Sequence, residues 1–436
     1  MKILTKNYIL KEMTSSMVTK NYFNWFNDSE VEKYIDYKPK NISELKNQVK
    51  VANNNNTVLF WGIFSKKKHI GNLKIFEIDH KRNIARLGIL IGDKEFRNKG
   101  VGSEVIEAVK NHLIQKKIYT LWLGVDKKNY KAINAYKKVG FTKYKNAKKY
   151  CYMSCNLFMS KIILGGAQLN SKYGITNFSN KKQPNKELVQ ILNFCKKLNI
   201  NHIDAAESYD FFKRYKKKLP KNTKIDTKVS LKNIHSYKDL KKKLLTKYIN
   251  KGIFIDALLI HDGDNALENK AISKIKILHK LKKEKIISKV GISIYNFDIL
   301  KKIILKLNLD VIQIPYNIAD KRIEKFRKLL KDKEILIYVR SVFLQGSLLK
   351  EVKSIKQLKN IFTKVQKLGK KVNQSNLEIC LSFVFYNDLI DKIIIGVRNF
   401  EEMKQLMSCK ITPQKYNINF DKSEIFFAQN PNKWSN

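Results

Sequence analysis

The sequence is poor in residues that interrupt regular structure and in residues that cross-link chains. Its 436 residues include 17 glycines, six prolines and five cysteines. So few glycines and prolines argue against long flexible linkers and low-complexity segments. The cysteines form no CxxC pair, and Cys151 and Cys155 have a poor spacing for zinc without neighbouring ligands. We therefore predict no metal site, and thiols that stay reduced as in the cytoplasm.

Long hydrophobic runs are also missing. No apolar stretch approaches the ~20 residues that a membrane helix needs, and the first residues lack the apolar core of a signal peptide. This predicts a cytoplasmic protein without a membrane partner. The apolar fraction of 43% is nevertheless typical of globular domains. Because single hydrophobic cores stop growing at roughly 250–300 residues, this length predicts two domains.

Acidic side chains are scarce: 38 stand against 87 basic ones, which gives a net charge of +49. A nucleic-acid partner is one interpretation of this charge. Only eight of the basic residues are arginines, however, and the lysines are spread along the chain without a basic tail. Arginine makes most specific base and phosphate contacts, so the composition argues against that partner. The charge favours anionic small molecules such as CoA, NADP and nucleotide sugars.

The pattern of the sequence changes near Met159. Before it, CYMSCNLF predicts a final strand, whereas MSKIILGGAQL resembles a new protein start followed by a strand and a glycine-rich loop. We predict two domains, 1–158 and 159–436. The sequence predicts no oligomeric state.

The first domain mixes strands and helices, which predicts an α+β fold. The predicted strands are 57–64, 70–78, 84–91 and 119–125, and the predicted helices are 103–117 and 130–138. The run RNKGVG, residues 97–102, follows a strand and opens a helix. Its glycines allow close backbone approach, and free N–H groups at the helix start favour a phosphate. Taken alone, the run is equally consistent with a plain turn.

A second motif, NYKAINAYKKVGF from Asn129 to Phe141, follows in the same domain. Together with the opening NYFNWFNDSEVEKYID, the two motifs resemble the GNAT acyltransferase superfamily. The branch that they resemble includes ribosomal-protein alanine acetyltransferases and nucleotide-amino-sugar acetyltransferases. The resemblance covers roughly residues 1–158 and implies acetyl-CoA as acyl donor.

The resemblance also implies roles for individual residues. Four residues would bind CoA, mostly through their main chain: Arg97, Lys99, Gly100 and Gly102. Asn129 would hold the acyl-CoA arm, and Tyr136 would protonate the departing thiolate; a core aromatic is the alternative for Tyr136. A base is needed for the attacking amine. Glu77 and His80 are candidates by position, with solvated surface residues as the alternative.

The second domain repeats a strand-then-helix unit. Eight apolar runs of strand length are present: IILGGAQL, NHIDAA, KIDTKVS, DALLIHD, KVGISIY, VIQIPYN, EILIYVR and KIIIGV. This alternation predicts an α/β fold, a (β/α)8 TIM barrel, with its active site at the C-terminal ends of the strands. Polar residues stand at those predicted ends: Asp204, Lys228, His261, Ser293, Gln313, Arg340 and Arg398.

Reduction of a carbonyl by a nicotinamide needs a proton donor near the carbonyl oxygen. A tyrosine can donate when an ammonium lowers its pKa and a carboxylate orients that ammonium. The spacing of Asp204, Tyr209, Lys228 and His261 resembles the catalytic tetrad of the aldo/keto reductases. GISIYN, QIPYN, FLQGSLL and IIIGVRNFEEM extend the resemblance over roughly residues 160–436.

By this resemblance, Tyr209 is the proton donor, Lys228 and Asp204 tune it, and His261 orients the carbonyl. Ser293 and Gln313 would hold the nicotinamide carboxamide. Ser341, Phe343 and Gly396 would line the pyrophosphate path. Arg398 would meet an adenosine 2′-phosphate, which favours NADPH over NADH, with a surface charge as the alternative.

The sequence departs from the family pattern at three positions. Ile294 stands where the family usually has Asn, Arg340 where it has the Tyr that stacks on nicotinamide, and Asp210 where it has Gly. Arg340 could replace the Tyr by stacking through its guanidinium plane. These departures leave open a barrel that has lost its catalytic activity.

Together, the motifs predict a bifunctional enzyme acting on small molecules. The predicted reactions are N-acetylation of a small amine, such as a nucleotide-linked amino sugar, and NAD(P)H-dependent carbonyl reduction, in bacterial surface-glycan synthesis. One alternative is a protein N-terminal acetyltransferase with an accessory or inactive barrel. A second is a lysine-rich nucleic-acid-associated protein.

Overall fold

The chain folds into two compact units, Met1–Ser160 and Lys161–Asn436, in the computed structural model. The predicted boundary after residue 158 remains a prediction. The structure describes the following residues: 2–35, 37–167, 185–198, 200–205, 219, 223–409, 411 and 416–434.

The first unit is built on one eight-stranded sheet with the strand order β1-β2-β3-β4-β5-β6-β8-β7. Its strands are β1 Lys2–Leu4, β2 Ile9–Glu12, β3 Leu59–Ser65, β4 Lys68–Asp79, β5 Ile84–Ile91, β6 Thr120–Asp126, β7 Thr142–Asn146 and β8 Tyr150–Asn156. The helices described with it are α1 Lys20–Asn24, α2 Ser29–Glu32, α3 Ile42–Asn53, α4 Val101–Gln115, α5 Tyr130–Lys138 and α6 Leu157–Lys161. Helix α4 buries one apolar side, including Val105, Val109 and Leu113, as its periodicity predicted.

Strands β5 and β6 form the parallel pair of this otherwise antiparallel sheet among the described strands. They pair over three residues only, Ile84–Arg86 with Thr120–Trp122. Beyond Arg86, β5 continues to Ile91 and β6 continues to Asp126 without pairing to each other. Two adjacent strands that stop pairing leave main-chain N–H and C=O groups open to another partner. The sheet thus has a gap next to the start of α4.

The second unit is a closed barrel of eight parallel strands. These are β9 Ile162–Gly165, β10 His202–Asp204, β11 Lys224–Val229, β12 Phe254–Ile260, β13 Ile287–Ser293, β14 Val311–Pro315, β15 Leu336–Arg340 and β16 Lys392–Ile395. The helices described around it are α7 Asn185–Lys197, α8 Tyr237–Lys247, α9 Asn269–Lys283, α10 Leu300–Lys306, α11 Arg327–Asp332, α12 Lys356–Val372, α13 Asn376–Phe385, α14 Phe400–Ser408 and α15 Lys422–Gln429.

Two apolar clusters stabilise the barrel. One comprises strand residues such as Ile163, Leu259 and Val311. The other joins α12 to the C-terminal segment and includes Ile361 and Trp434. Burial of such side chains contributes about 1.5–3 kcal/mol each before conformational entropy is counted. Because the strands are short and parallel, closing the barrel brings the ends of distant sequence segments together.

The fold that the sequence predicted is confirmed. Each of the eight apolar runs overlaps one barrel strand, and β5 and α5 begin and end at the predicted residues. Across the described residues, no helix has both the length and the apolar composition needed to span a bilayer.

Candidate active sites

A buried ion pair lies at the C-terminal ends of two neighbouring barrel strands. The Lys228 ammonium donates to both carboxylate oxygens of Asp204, at 2.6 and 2.7 Å. Asp204 ends β10 and Lys228 lies near the end of β11, with exposed fractions of only 8% and 7%. Two donors of the ammonium are thereby used, and the third remains for a further acceptor. Two of the predicted site residues are thus in direct contact.

Gln313 joins this pair from the opposite side of the barrel. Its side-chain N–H donates to Asp204 Oδ1 at 3.1 Å, while its buried side-chain oxygen has no partner among the described residues. Ser293, on the adjacent strand, is its direct register neighbour. A buried acceptor without a partner is costly unless a ligand satisfies it. The N–H2 group of a nicotinamide carboxamide has the matching donor chemistry.

His261 follows β12 at the mouth of the same site. Its main-chain N–H donates to the carbonyl of Val229, next to Lys228, at 2.9 Å. Desolvation lowers the pKa of the imidazole, and the positive charges of Lys228 and Arg340 lower it further, against Asp262 and Asp204. The imidazole is therefore neutral near pH 7 and can donate one N–H to a carbonyl oxygen.

Arg340 ends β15, and its guanidinium is held in place by two contacts. It lies 3.7 Å from the ring centroid of Tyr295 and donates to the carbonyl of Ile294 at 3.1 Å. Its Nη1 is buried without a partner within the described part of the chain. Ile294 itself is fully buried, and its side chain is close to Gly263. An apolar residue thus fills the place of the family's Asn.

Backbone geometry shapes the rim between β9, β10 and β16. A Cβ at Gly166 would lie 2.8 Å from the Asp204 carbonyl oxygen, and one at Gly165 would lie 3.1 Å from the Gly396 nitrogen. Such close approach leaves room for no side chain here. Ser341, directly after β15, has a positive φ of 57°, and its carbonyl accepts from Asn317 at 3.2 Å.

Two other predicted cofactor residues have protein partners. Phe343 packs against the cluster that joins α12 to the C-terminal segment. Arg398 Nε donates to Glu402 Oε1 at 2.6 Å, and its main-chain N–H donates to Glu402 Oε2 at 2.7 Å. Its side chain keeps 39% of its surface exposed. Tyr209 and Asp210 lie outside the described residues.

In the first unit, Gly100 is the N-cap residue of helix α4, with a positive φ of 82° and no side-chain cap. A Cβ added at Gly100 would contact no atom within 4 Å. A Cβ added at Gly102 would lie 3.6 Å from the Ile89 side chain. Lys99 is exposed, with its ammonium 5.9 Å from the centre of the Phe96 ring. Uncapped N–H groups at the start of a fifteen-residue helix suit a phosphate. The fit with a CoA pyrophosphate is therefore good.

The Arg97 side chain is turned toward protein. Its guanidinium donates to the carbonyls of Ile91 and Gly92 at 3.0 and 2.6 Å, and to Asp28 at 3.0 Å and Glu30 at 3.2 Å. Only 14% of the side chain is exposed. Arg97 therefore fixes the loop before α4 against the segment around α2, and its main chain is what remains for a ligand.

The second motif lies on α5. Asn129 is the N-cap of this helix and accepts from the Ala132 N–H at 3.0 Å. Tyr136 is half-buried beside Phe141, with the ring centroids 5.7 Å apart. Burial raises the pKa of Tyr136 to about 12. Its phenol is therefore protonated at neutral pH, as a proton donor must be.

The two candidate bases lie in different surroundings. The Glu77 carboxylate pairs with Arg86 at 3.0 Å, and that guanidinium lies between the rings of Phe76 and Trp122. His80 is exposed in the turn after β4. The Glu77 carboxylate is thus paired with the Arg86 guanidinium, whereas a base must be open to the attacking amine.

The aldo/keto reductase family model matches residues 161–419. The chain belongs to the aldo/keto reductase family. An uncharacterized oxidoreductase of Bacillus subtilis, YqkF, is 23% identical over 277 residues, which cover 57% of this chain and 90% of that protein.

The first unit of this aldo/keto reductase matches a second family model, the acetyltransferase (GNAT) domain, over residues 8–142. The chain is thus a fusion of the two. A spermidine N-acetyltransferase from Vibrio cholerae, solved with CoA and spermine, is 18% identical and covers 35% of this chain and 96% of its own, with a TM-score of 0.32. A ribosomal L7/L12 alpha-N-protein acetyltransferase, RimL, is 16% identical and covers 35% and 95%, with a TM-score of 0.33.

Sequence reasoning missed three contacts of these sites. They are the bond from Gln313 to Asp204, the stacking of Arg340 on Tyr295, and the pairing of Arg97 with Asp28. Each joins segments far apart in sequence. Tyr295 is evident in the motif GISIYN, but nothing in the sequence predicts that it stacks on Arg340.

We predict that Arg97→Ala lowers the free energy of unfolding of the first unit by about 2–4 kcal/mol, because it removes a guanidinium that donates to two carbonyls and two carboxylates. Thermal unfolding of the full chain measures this. Lys99→Ala is the matched control, since it removes an exposed neighbouring charge and should leave stability unchanged. Equal stability of the two variants, with acetyl-CoA affinity lost only in Arg97→Ala, would instead make Arg97 a direct CoA ligand.

Proposed function

We propose that this chain is a bifunctional cytoplasmic enzyme of small-molecule metabolism. Its barrel reduces a carbonyl with NADPH, and its first unit transfers an acetyl group from acetyl-CoA to a primary amine. The observation that carries the proposal is the buried Lys228–Asp204 pair beside the unpartnered oxygen of Gln313. A buried ion pair and a buried acceptor are both costly without a role that uses them.

In the barrel, the reduced nicotinamide supplies the hydride when it is bound. Gln313 and Ser293 would orient its carboxamide. The neutral imidazole of His261 would hold the carbonyl oxygen through one N–H. By family resemblance Tyr209 would give that oxygen its proton, with the third N–H of Lys228 stabilising the phenolate that remains. Asp204 fixes the position of Lys228 through two hydrogen bonds.

The contact between Arg398 and Glu402 bears on the choice of cofactor. An adenosine 2′-phosphate could bind the exposed side of the guanidinium, but the Glu402 carboxylate lies on the same group. Like charges close together repel. The positive charge of Arg398 favours the 2′-phosphate of NADPH. The negative charge of Glu402 reduces that preference, so NADH could also bind. We propose NADPH as the preferred cofactor.

In the first unit, the start of α4 would bind the CoA pyrophosphate through main-chain N–H groups. The gap between β5 and β6 would accept the amide-bearing arm of the donor, because its unpaired main-chain groups can hydrogen-bond to that arm. Asn129 stands directly after this gap, at the start of α5. Tyr136, protonated at neutral pH, would give its proton to the leaving thiolate.

We propose nucleotide-linked amino and keto sugars as substrates, within surface-glycan synthesis. The support is the fusion itself, which joins an amine-modifying and a carbonyl-modifying unit, and the net charge of +49, which attracts anionic nucleotides. The direct test is a panel of nucleotide-linked keto and amino sugars assayed for NADPH oxidation and CoA release. We expect both signals with sugars of this class. Turnover of ribosomal-protein N-terminal peptides alone would overturn the sugar assignment.

We predict that Tyr209→Phe lowers carbonyl turnover by roughly 10²-fold or more while NADPH affinity barely changes, because a general acid contributes about that much. Lys228→Met should give a similar loss. The double variant should lose no more than either single one, since both act in one proton transfer. Rates and NADPH fluorescence titration measure these effects.

Lys228→Met also leaves Asp204 buried without its cation, at a cost of about 3–5 kcal/mol. The control is therefore Lys228→Met combined with Asp204→Asn, which removes both charges and should restore stability without restoring turnover. Full reductase activity in Tyr209→Phe would refute the assignment of the barrel chemistry.

We predict that Tyr136→Phe lowers acetyl transfer by about 10²-fold, because only the phenolic proton is removed. Acetyl-CoA binding, followed by calorimetry, should be preserved. Tyr144→Phe is the matched control: it removes the same hydroxyl from an exposed tyrosine of β7. Unchanged turnover in Tyr136→Phe would leave Tyr136 as a packing residue beside Phe141.

A further inference from the structure

A second group of charged side chains lies inside the barrel, away from the strand ends that carry the reductase residues. His202 is the first residue of β10, Asp226 the third of β11, and Asp256 the third of β12. Their exposed fractions are 5%, 0% and 5%. Because all three strands run parallel, these positions share the N-terminal half of the barrel.

The metal-binding atoms of these three side chains converge. The His202 Nε2 atom lies 2.9 Å from Asp226 Oδ1 and 3.8 Å from Asp256 Oδ2. One ring nitrogen and one oxygen from each carboxylate all lie within 4.8 Å of one another. Ligand atoms that each lie about 2.0–2.2 Å from one common ion are separated from one another by distances like those in this cluster.

The cluster leaves its most buried polar atoms unsatisfied. Neither carboxylate oxygen of Asp226 makes a hydrogen bond with any described residue, and neither does His202 Nε2. The 2.9 Å approach of His202 to Asp226 becomes an ion pair when the imidazole is protonated. Leaving a fully buried carboxylate in this state is costly unless another group satisfies it.

The charges around the cluster are unevenly compensated. Lys289 donates to Asp256 Oδ2 at 2.7 Å and so neutralises that carboxylate. Asp226 has the imidazole of His202 beside it, and the charge of Lys289 acts on it less strongly than on Asp256. Lys289 is the most exposed side chain of the group, with 25% of its surface accessible. With a neutral imidazole, the two carboxylates and the one ammonium leave a net negative charge, which a bound cation would offset.

We propose that His202, Asp226 and Asp256 form a buried structural site for a divalent first-row transition cation, with Zn²⁺ as the best match. One imidazole and two carboxylates suit such ions, and a fourth position remains for a water or a second carboxylate oxygen. The ion would tie β10, β11 and β12 together beneath the Asp204–Lys228 pair. Its role is structural, because none of its ligands belongs to the reductase site.

The prediction of no metal site rested on cysteine spacing, and this cluster contains no cysteine. Its ligands stand on three successive barrel strands, in the segments HID, IDT and IDA. Each segment alone is an ordinary strand.

The test uses the full chain without an affinity tag, dialysed against chelator and then titrated with ZnCl₂. We expect about one tightly bound equivalent by elemental analysis after removal of free zinc, and a higher unfolding temperature with zinc than without it. Asp226→Asn keeps the side-chain shape but removes the charge. It should lower zinc affinity by at least about 10-fold, since even outer-shell changes reach that size.

Asp310→Asn is the matched control, because Asp310 is a carboxylate of the same barrel paired with Lys282 at 2.5 Å. It should lower stability yet keep the zinc affinity of the wild type. If Asp226→Asn does not fold, the wild-type chain decides: bound Co²⁺ should give visible absorption bands that an equivalent of Zn²⁺ abolishes. A wild type that binds no zinc, or equal zinc affinity in the two variants, overturns the site and leaves a buried imidazolium–carboxylate pair.

Discussion

The ion pair between Lys228 and Asp204 is the contact on which the candidate reductase site depends. Two opposite charges taken out of water need each other, and each strand end alone would leave one buried charge uncompensated. The pair exists because β10 and β11 lie side by side in parallel. Gln313 then reaches the same carboxylate from β14, across the barrel. Closing the barrel therefore brings Gln313 to the ion pair that β10 and β11 form.

Buried charges also need compensation in the N-terminal half of the barrel. Asp226 is the register partner of Asp204, so one carboxylate of the His202 cluster lies beside the carboxylate of the Lys228–Asp204 pair on neighbouring strands. Buried carboxylates so close raise each other's free energy. Lys228 and Lys289 compensate two of them, and the proposed cation would compensate the third.

In the acetyltransferase unit the corresponding constraint is backbone geometry. The proposed CoA-binding surface is the uncapped start of α4 and the unpaired ends of β5 and β6. Arg97 fixes the loop before α4 by donating to two carbonyls and two carboxylates. Both units therefore present fixed polar groups for anionic cofactors, one through main-chain N–H groups and the other through side chains on strand ends.

The sequence by itself determined the eight barrel strands, helices α4 and α5, and the residue types at the strand ends, because periodicity and strand-to-helix order are local properties. The pairing of Lys228 with Asp204 followed from resemblance plus strand order. Only the tertiary structure decided where side chains point: that Arg97 faces protein, that Glu77 is taken by Arg86, and that His202, Asp226 and Asp256 converge. These contacts depend on register and barrel closure, which join residues that no local pattern relates.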